Sequence, residues 1–391
     1  MWAVTTGRPV AARGRLSVEL IHAYLHDHPH GSRVSERDPV EDLRAIAFCL
    51  ERALEPTYRV KAFRTAADVV KRTPADELSA RVGAGSLTEL AGLGKVTALV
   101  VTESLAGQEP VYLRRVRTLG DTPVSTGAAA LRAALKGDCH THSDWSDGGS
   151  SIEQMALAAR ALGHEYIVLT DHSPRLTVAH GLSPQRLREQ LDAVARLNDD
   201  LARRAANTGA APFRILTGIE CDINLDGSLD QEPELLARLD LVVASVHSKL
   251  RMPREQMTAR MVAAISNPQT DVLGHCTGRQ VLGHGRGGKG RPESDFDPDV
   301  VFAACAQFDV AVEVNCRPER LDPPKRLLRL ALEAGCRVAL DTDAHAPGQL
   351  AWQSIGCERA YLCGVQPERI VNAWSADDLL TWTGRPPAAK G

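Results

Sequence analysis

Two patterns of apolar and polar residues divide the chain. From Asp38 to about Leu119, apolar residues recur at three- and four-residue spacing, which is typical of amphipathic helices. We therefore predict a small all-α domain at residues 37–119. Residues 1–36 are predicted to form a loosely ordered leader, because Gly, Pro, Arg and His interrupt their apolar runs outside residues 16–25. The apolar positions of the first predicted helix are Leu43, Ile46, Ala47, Leu50 and Leu54.

Beyond residue 134, short apolar runs alternate with helical patterns, as they do in repeated βα units. This alternation predicts an α/β domain over residues 135–391 that folds as a parallel seven-stranded (β/α) barrel. A stretch rich in Thr, Gly, Pro and Ala begins at residue 120, and we predict a linker at residues 120–134. The predicted strands are Leu135–Cys139, Tyr166–Thr170, Phe213–Gly218, Leu241–Val246, Asp271–Gly274, Val310–Val314 and Arg337–Leu340.

The composition indicates a globular protein without a strong bulk charge. Its 391 residues suit one large and one smaller domain, and 46 basic against 49 acidic residues give a formal net charge of -3. Attraction of the whole molecule to nucleic acid or to an anionic membrane is therefore not expected. The sequence shows neither a membrane-spanning apolar run nor a signal-peptide core near residue 1, so we predict a cytoplasmic protein without a membrane partner. Its cysteines form no Cys-x-x-Cys pair, which favours reduced thiols.

Residue types that bind metals follow six of the seven predicted strands. A β/α barrel gathers the C-terminal ends of its strands at one face, so these side chains are expected to meet there. One isolated histidine is more often a hydrogen-bonded core or surface residue, but the joint placement at successive strand ends favours a metal cluster. Imidazole with carboxylate suits Zn, Mn or Fe. The residues are His140, His142, Asp171, His172, Glu220, His247, His275, Asp341, Asp343 and His345, and Asn315 follows the sixth strand.

These residues lie in motifs that resemble the polymerase and histidinol phosphatase (PHP) superfamily of metal-dependent phosphoesterases. The resemblance covers about residues 135–375. It implies a distorted seven-stranded barrel with a cluster of about three divalent ions. The matching motifs are Asp138-Cys139-His140-Thr141-His142 with Asp147, Thr170-Asp171-His172-Ser173, Gly218-Ile219-Glu220, Ser245-Val246-His247-Ser248, Gly274-His275 and Asp341-Thr342-Asp343-Ala344-His345.

The resemblance also implies how the ions are shared. Glu220 bridges the first two, and Asp147 stands where some members of the superfamily have a histidine, which favours Mn²⁺ over Zn²⁺ only slightly. The implied ligands are His140, His142, Glu220 and Asp343 for one ion, Glu220, His247 and His275 for a second, and Asp147, His172 and His345 for a third.

Such ions lower the pKa of a bound water from about 15.7 to about 7, so that hydroxide attacks phosphorus while another ion stabilises the leaving oxygen. We therefore predict an enzyme that hydrolyses phosphoric esters, with Asp343 and Arg279 in catalytic roles. Arg279, four residues after His275, is the first choice for binding substrate phosphate, and Lys249 and Arg320 are further choices. For Arg279 a surface salt bridge is the alternative.

The all-α domain contains a possible contact with DNA. Gly92-Leu93-Gly94-Lys95 fits a helix-hairpin-helix turn, in which backbone N–H groups face a DNA phosphate. Over about residues 38–105 the sequence resembles the N-terminal domain of family X DNA polymerases. No polymerase palm fits between this domain and the barrel, and Val100 stands where polymerase relatives carry a lyase lysine. A purely structural helical bundle is the alternative.

Three functions remain open from the sequence. The first is a phosphoesterase that acts on DNA ends or on other phosphodiesters and phosphomonoesters. The second is a phosphatase of a small metabolite, of the histidinol-phosphatase type. The third is a DNA-binding protein without catalysis that uses metals for stability, against which the complete ligand set counts. The sequence predicts neither the identity of the metal nor the oligomeric state.

Overall fold

The computed structural model describes residues 37–283 and 289–384. It divides into two compact units that meet in sequence between Asp121 and Thr122. The predicted leader at residues 1–36 lies outside the described residues, as do residues 284–288 and 385–391.

The first unit is all-helical, as the apolar spacing predicted. The side chain of Asp38 caps α1 by accepting a hydrogen bond from the backbone N–H of Val40 at 2.8 Å. Leu43, Ile46 and Leu50 of α1 are completely buried in an apolar core shared with α2 and α4. The helices are α1 (Pro39–Arg52), α2 (Thr57–Arg72), α3 (Ala75–Ala84), α4 (Lys95–Leu105) and α5 (Val111–Val116), with a 3-10 turn at Leu87–Glu89.

The second unit alternates strands and helices, and its described residues contain seven parallel strands in the order β1-β2-β3-β4-β5-β6-β7. The strands are β1 (Gly137–Thr141), β2 (Tyr166–Leu169), β3 (Arg214–Asp222), β4 (Leu241–Ser245), β5 (Val272–Leu273), β6 (Ala311–Asn315) and β7 (Val338–Asp341). The helices are α6 (Thr126–Ala134), α7 (Ile152–Ala161), α8 (Pro184–Thr208), α9 (Pro233–Leu236), α10 (Arg254–Ile265), α11 (Pro298–Gln307), α12 (Lys325–Glu333), α13 (Gln353–Leu362) and α14 (Ala376–Trp382).

The sheet curls until its first and last strands meet. A parallel bridge joins Thr141 to Ala344, and the backbone N–H of Cys139 donates to Asp341 Oδ1 at 2.9 Å. On the same seam, Asp138 accepts hydrogen bonds from both the N–H and the hydroxyl of Thr342. The result is a nearly closed seven-stranded parallel barrel, which confirms the predicted fold class.

Some segments differ in detail from their prediction. Strand β1, for example, runs from Gly137 to Thr141, so His140 lies within it. Strand β3 runs on to Asp222 because its pairing with β4 continues through Glu220 and Val243, so Glu220 lies within the strand and not after it. Residues 126–134, within the predicted linker, form α6, whose Ala128 and Leu131 are buried in a core cluster of the second unit. Within residues 37–283 and 289–384, no helix combines the length and the apolar character that crossing a membrane requires.

Candidate metal centre

The C-terminal ends of the barrel strands bring the predicted ligands together. Glu220 lies in β3, His140 lies in β1, and the other predicted ligands stand in the segments that follow β1, β2, β4, β5 and β7. Because parallel strands end at the same face of a barrel, residues that are far apart in sequence become neighbours.

Glu220 is the centre of this cluster. Its side chain is completely buried, and its two oxygens face nitrogen atoms of five imidazoles. A carboxylate with this many neighbours can bridge two ions, which agrees with the role implied for Glu220. The distances are 3.3 Å from Oε2 to His140 Nε2, 3.6 Å to His142 Nε2 and 2.9 Å to His172 Nδ1, and from Oε1 3.1 Å to His247 Nε2 and 2.8 Å to His275 Nε2.

Among the described residues, three groups of side chains offer donor atoms that lie within 4.8 Å of one another. The grouping overlaps the one implied by the resemblance, with three differences. Glu220 is absent from the group that contains His140 and Asp343. His142 also lies beside the group that contains Asp147, and His172 takes the place of His275 beside Glu220 and His247. The groups are His142, Asp147, His172 and His345; His140, His142 and Asp343; and His172, Glu220 and His247.

The donor atoms fit divalent cations. Buried polar atoms without a hydrogen-bond partner are costly and rare, so a concentration of them points to a ligand. His172 Nδ1 is an example: it lies 2.9 Å from Glu220 Oε2 without forming a hydrogen bond. Such orphaned atoms in the cluster are His140 Nε2, both ring nitrogens of His142 and of His247, His172 Nδ1, His275 Nδ1 and Glu220 Oε2. Imidazole nitrogen and carboxylate oxygen are the donors that Zn, Mn and Fe accept.

A family model described as the PHP domain matches residues 138–279. The chain carries a PHP domain. A relative described as a DNA polymerase/3'-5' exonuclease, PolX, from Bacillus subtilis (strain 168) is 36% identical over 251 residues, which are 64% of this chain and 41% of that protein. The chain thus spans less than half the length of this relative.

Two further comparisons concern phosphatases. A probable phosphatase of Thermoanaerobacter sp. (strain X514) is 27% identical over 223 residues, which cover 53% of this chain and 78% of that protein. A crystal structure of histidinol phosphate phosphatase from Lactococcus lactis, complexed with Zn, L-histidinol and phosphate, aligns with a TM-score of 0.41 and 20% identity, covering 59% of this chain and 95% of that one.

Two of the predicted ligands in this PHP-domain site, Glu220 and His142, are held in the protonation states that metal binding needs. Burial opposes ionisation of Glu220, but His247, His140 and His172 lower its pKa well below its usual range. For His142, burial and the neighbouring His345 lower the pKa well below that of a free imidazole, which keeps the ring neutral and leaves one ring nitrogen with an available lone pair.

His247 shows the opposite balance. Burial alone would lower its pKa, but Glu220 and Asp222 raise it to about 9. Protons and metal ions therefore compete for its ring nitrogens, and metal binding is expected to release protons.

Acidic residues that the sequence analysis did not assign support the ligands. Asp222, at the end of β3, accepts a hydrogen bond from the backbone N–H of His247 at 3.1 Å, and its Oδ1 lies 3.4 Å from His247 Nδ1. Glu313 lies inside β6 with its Oε1 2.6 Å from His140 Nδ1. The available signal was a carboxylate at a buried position of an otherwise apolar strand, since such a residue needs partners.

Asp171, one of the acids that follow the predicted strands, faces the segment after β1. Its carboxylate accepts hydrogen bonds from the N–H of Ser143 at 2.8 Å, from the hydroxyl of Ser143 at 2.6 Å and from Gln190 Nε2 at 2.7 Å. These donors satisfy both oxygens of the carboxylate. Asp171 therefore fixes the segment that carries His142 and Asp147.

The predicted phosphate-binding cations lie in different surroundings. The guanidinium of Arg279 donates to the carbonyl oxygens of Arg320 and Leu321, and its Nη1 is 3.6 Å from Glu293, so the described contacts do not place it on the metal ligands. Arg320 does reach them, with its Nε 3.3 Å from Asp343 Oδ2. Lys249 is exposed.

Arg317, three residues before Arg320, also reaches the ligands. Its Nη1 is 3.5 Å from Asp343 Oδ1 and 2.9 Å from His345 Nδ1. Burial opposes ionisation of Asp343, but Arg317, His142, His140 and Arg320 lower its pKa well below the usual range.

In the predicted DNA-contacting turn, Gly92 has a positive φ angle that favours glycine. Gly92 has φ +102°, and a Cβ there would come within 3.0 Å of the methyl groups of Thr65 and Val69. Gly94 caps α4, although its N–H already donates to Thr97 Oγ1 at 2.9 Å. Lys95 is exposed beside it. Arg64, in contrast, forms a bidentate ion pair with Glu51, so its charge is compensated within the unit.

Proposed function

We propose that this protein hydrolyses phosphoric esters at a cluster of about three divalent metal ions. The observation that carries the proposal is the set of orphaned nitrogen and oxygen atoms around Glu220, buried inside a PHP-domain barrel. The proposed ligands are His140, His142, Asp147, His172, Glu220, His247, His275, Asp343 and His345.

When bound, such ions activate a water molecule and compensate charge on a phosphoryl oxygen. The protein residues would have three tasks. The imidazoles and carboxylates would hold the ions, and one of these ligands, Asp343, also contacts Arg317 and Arg320. Arg317 and Arg320 would bind phosphoryl oxygens, because a guanidinium donates strong charge-assisted hydrogen bonds to phosphate. Arg279 would act through Arg320, whose carbonyl oxygen it holds at 3.1 Å.

DNA ends are the first substrate class that we propose. The relative from Bacillus subtilis is described as a 3'-5' exonuclease, and the first unit carries the Gly92-x-Gly94-Lys95 turn. Binding through such a turn rests on phosphate contacts, so it should be weak, salt-dependent and nearly independent of sequence.

A small phosphomonoester is the second candidate. It is favoured by the relative described as a probable phosphatase, because this chain covers 78% of that protein. A non-catalytic DNA-binding protein with structural metals is disfavoured, since the exposed Asp147 leaves one donor group open to solvent.

The test compares substrates on the full chain with metal present. Purified protein is assayed with 3'-labelled single- and double-stranded DNA, histidinol phosphate and a nitrophenyl phosphate, with Glu220→Gln as the inactive control. Shortening of labelled DNA that is lost in the variant supports the first candidate, and release of phosphate from the small ester alone supports the second. If the metal-loaded wild-type protein hydrolyses none of these esters, the proposed activity is wrong.

A further inference from the structure

Strand β6 differs from the other strands of the barrel because Asn315, at its end, stands where the others bring a predicted metal ligand. Instead, β6 places Glu313 and Asn315 beneath the ligands. Both side chains are completely buried. A buried carboxylate is costly unless donors surround it, so its contacts reveal what it does.

Glu313 contacts ligands from two other strands. Its Oε1 is 2.6 Å from His140 Nδ1, and its Oε2 accepts a hydrogen bond from the backbone N–H of His275. A carboxylate can only accept, so the proton of the His140 ring must lie on Nδ1. The lone pair of His140 Nε2 then points into the cluster, where Nε2 lies 3.3 Å from Glu220 Oε2.

Asn315 extends this contact to a third strand. Its Nδ2 donates to Glu313 Oε2 at 3.2 Å and to Asp343 Oδ2 at 3.1 Å. Its Oδ1 accepts from the N–H of Arg317 at 3.1 Å, so donors and acceptor of the amide are all used. The pair therefore joins predicted ligands from β1, from the segment after β5 and from the segment after β7.

We propose that Glu313 is a positioning residue of the metal centre, which fixes the tautomer of His140 and, through Asn315, the orientation of Asp343. This inference rests on the proposed metal site. Carboxylates that accept the second ring N–H of a metal-bound histidine orient the ring and strengthen it as a ligand. Strand β6 thus contributes to the centre without supplying a ligand.

The contacts predict that glutamine cannot replace Glu313. Three donors surround the carboxylate, from His140, His275 and Asn315. In Glu313→Gln, the amide NH₂ faces at least one of these donors in either orientation. If it faces His140, the ring proton moves to Nε2 and the lone pair that would bind the ion is lost.

The experiment is a titration of metal-free full-length protein with Zn²⁺, followed by calorimetry, for the wild type, Glu313→Gln and Asp271→Asn. Asp271, which directly precedes β5, is the matched control because it is also a buried carboxylate. It accepts a hydrogen bond from the backbone N–H of Val242 at 2.7 Å and not from a predicted ligand. We expect Glu313→Gln to bind Zn²⁺ about 10- to 100-fold more weakly. Asp271→Asn is expected to retain the wild-type affinity, even where its unfolding temperature falls.

A second measurement, on the wild-type protein, does not require Glu313→Gln to fold. In ¹⁵N-histidine-labelled, zinc-loaded wild-type protein, the His140 resonances, assigned by their absence in His140→Gln, should show a protonated Nδ1 and a metal-bound Nε2. Unchanged Zn²⁺ affinity in Glu313→Gln, or a protonated Nε2 in the wild type, overturns this inference alone. A wild-type protein that binds no Zn²⁺ overturns the proposed function with it.

Discussion

Asp147 and His345 approach each other from the segments after β1 and β7, with Asp147 Oδ1 3.3 Å from His345 Nε2. The Asp147 side chain is 35% exposed, whereas that of Glu220 is completely buried. The donor group that contains Asp147 is therefore the one that faces solvent, and an ion bound by that group is expected to exchange most readily.

Replacing Asp147 with Ala should remove the solvent-facing ion and leave the others, because His142 and His172 keep further partners in the buried groups. The metal content after dialysis, measured by mass spectrometry, should be lower than in the wild type but should not fall to zero. Asp144→Ala serves as the control, since Asp144 is an exposed acid of the same segment outside the donor groups. Equal metal retention by Asp147→Ala and the wild type would contradict the assignment.

Replacing Glu220 with Gln should cost more metal than any other single ligand change. Its carboxylate faces five imidazoles, and removing its charge leaves them without the anion that holds them. Because metal binding is coupled to folding, the unfolding temperature of the metal-loaded protein should fall as well. Glu165→Gln, which loses an exposed contact at 3.6 Å with Lys136, should change neither quantity.

Replacing Arg320 with Ala should lower kcat/KM by roughly 10- to 100-fold, the loss expected for one charge-assisted hydrogen bond to phosphate. Arg279→Ala should also lower turnover, through the displaced backbone of Arg320, while both variants keep the wild-type metal content. Arg188→Ala is the control, because it removes an exposed arginine whose contact is Glu232, away from these side chains. A loss of metal that parallels the loss of activity would show that these arginines support the ligands instead of the substrate.

The sequence predicted which side chains meet at this face of the barrel, because metal-binding residue types recur at the strand ends. Apolar runs located all seven strands, and parallel pairing then required the residues after them to meet. What the sequence did not predict depends on side-chain direction. Asp171 and His172 are adjacent, yet Asp171 faces the β1 segment and His172 faces Glu220. Arg279 was placed near phosphate by its distance from His275 in sequence, and only the fold shows that carbonyl oxygens hold it.

His164 should make the stability of the barrel depend on pH. Burial, with a further contribution from Arg132, lowers its pKa in the folded protein to about 3, whereas the unfolded chain has a pKa near the usual ~6.5. The unfolded state therefore gains protons first as the pH falls, and the free energy of unfolding decreases from about pH 6.5 downwards. At pH 5 the loss is about 2 kcal/mol.

Urea unfolding at pH 7.5 and pH 5 measures this effect as a double difference between the wild type and His164→Gln. The variant should lose less stability between the two pH values, by about 2 kcal/mol. His180→Gln, at an exposed position, controls for the removal of a histidine. If the free energy of unfolding of His164→Gln changes with pH as much as that of the wild type, His164 is not the cause of the pH dependence.

The distribution of the donor groups along the chain also sets the order in which they are synthesised. His172, Glu220 and His247 are all translated before α10, whereas each of the other two groups needs Asp343 or His345, which follow β7. A ribosome that has reached β5 has therefore completed one donor set, while two remain unfinished. The remaining two groups become complete only after β7 has been synthesised and has paired with β1.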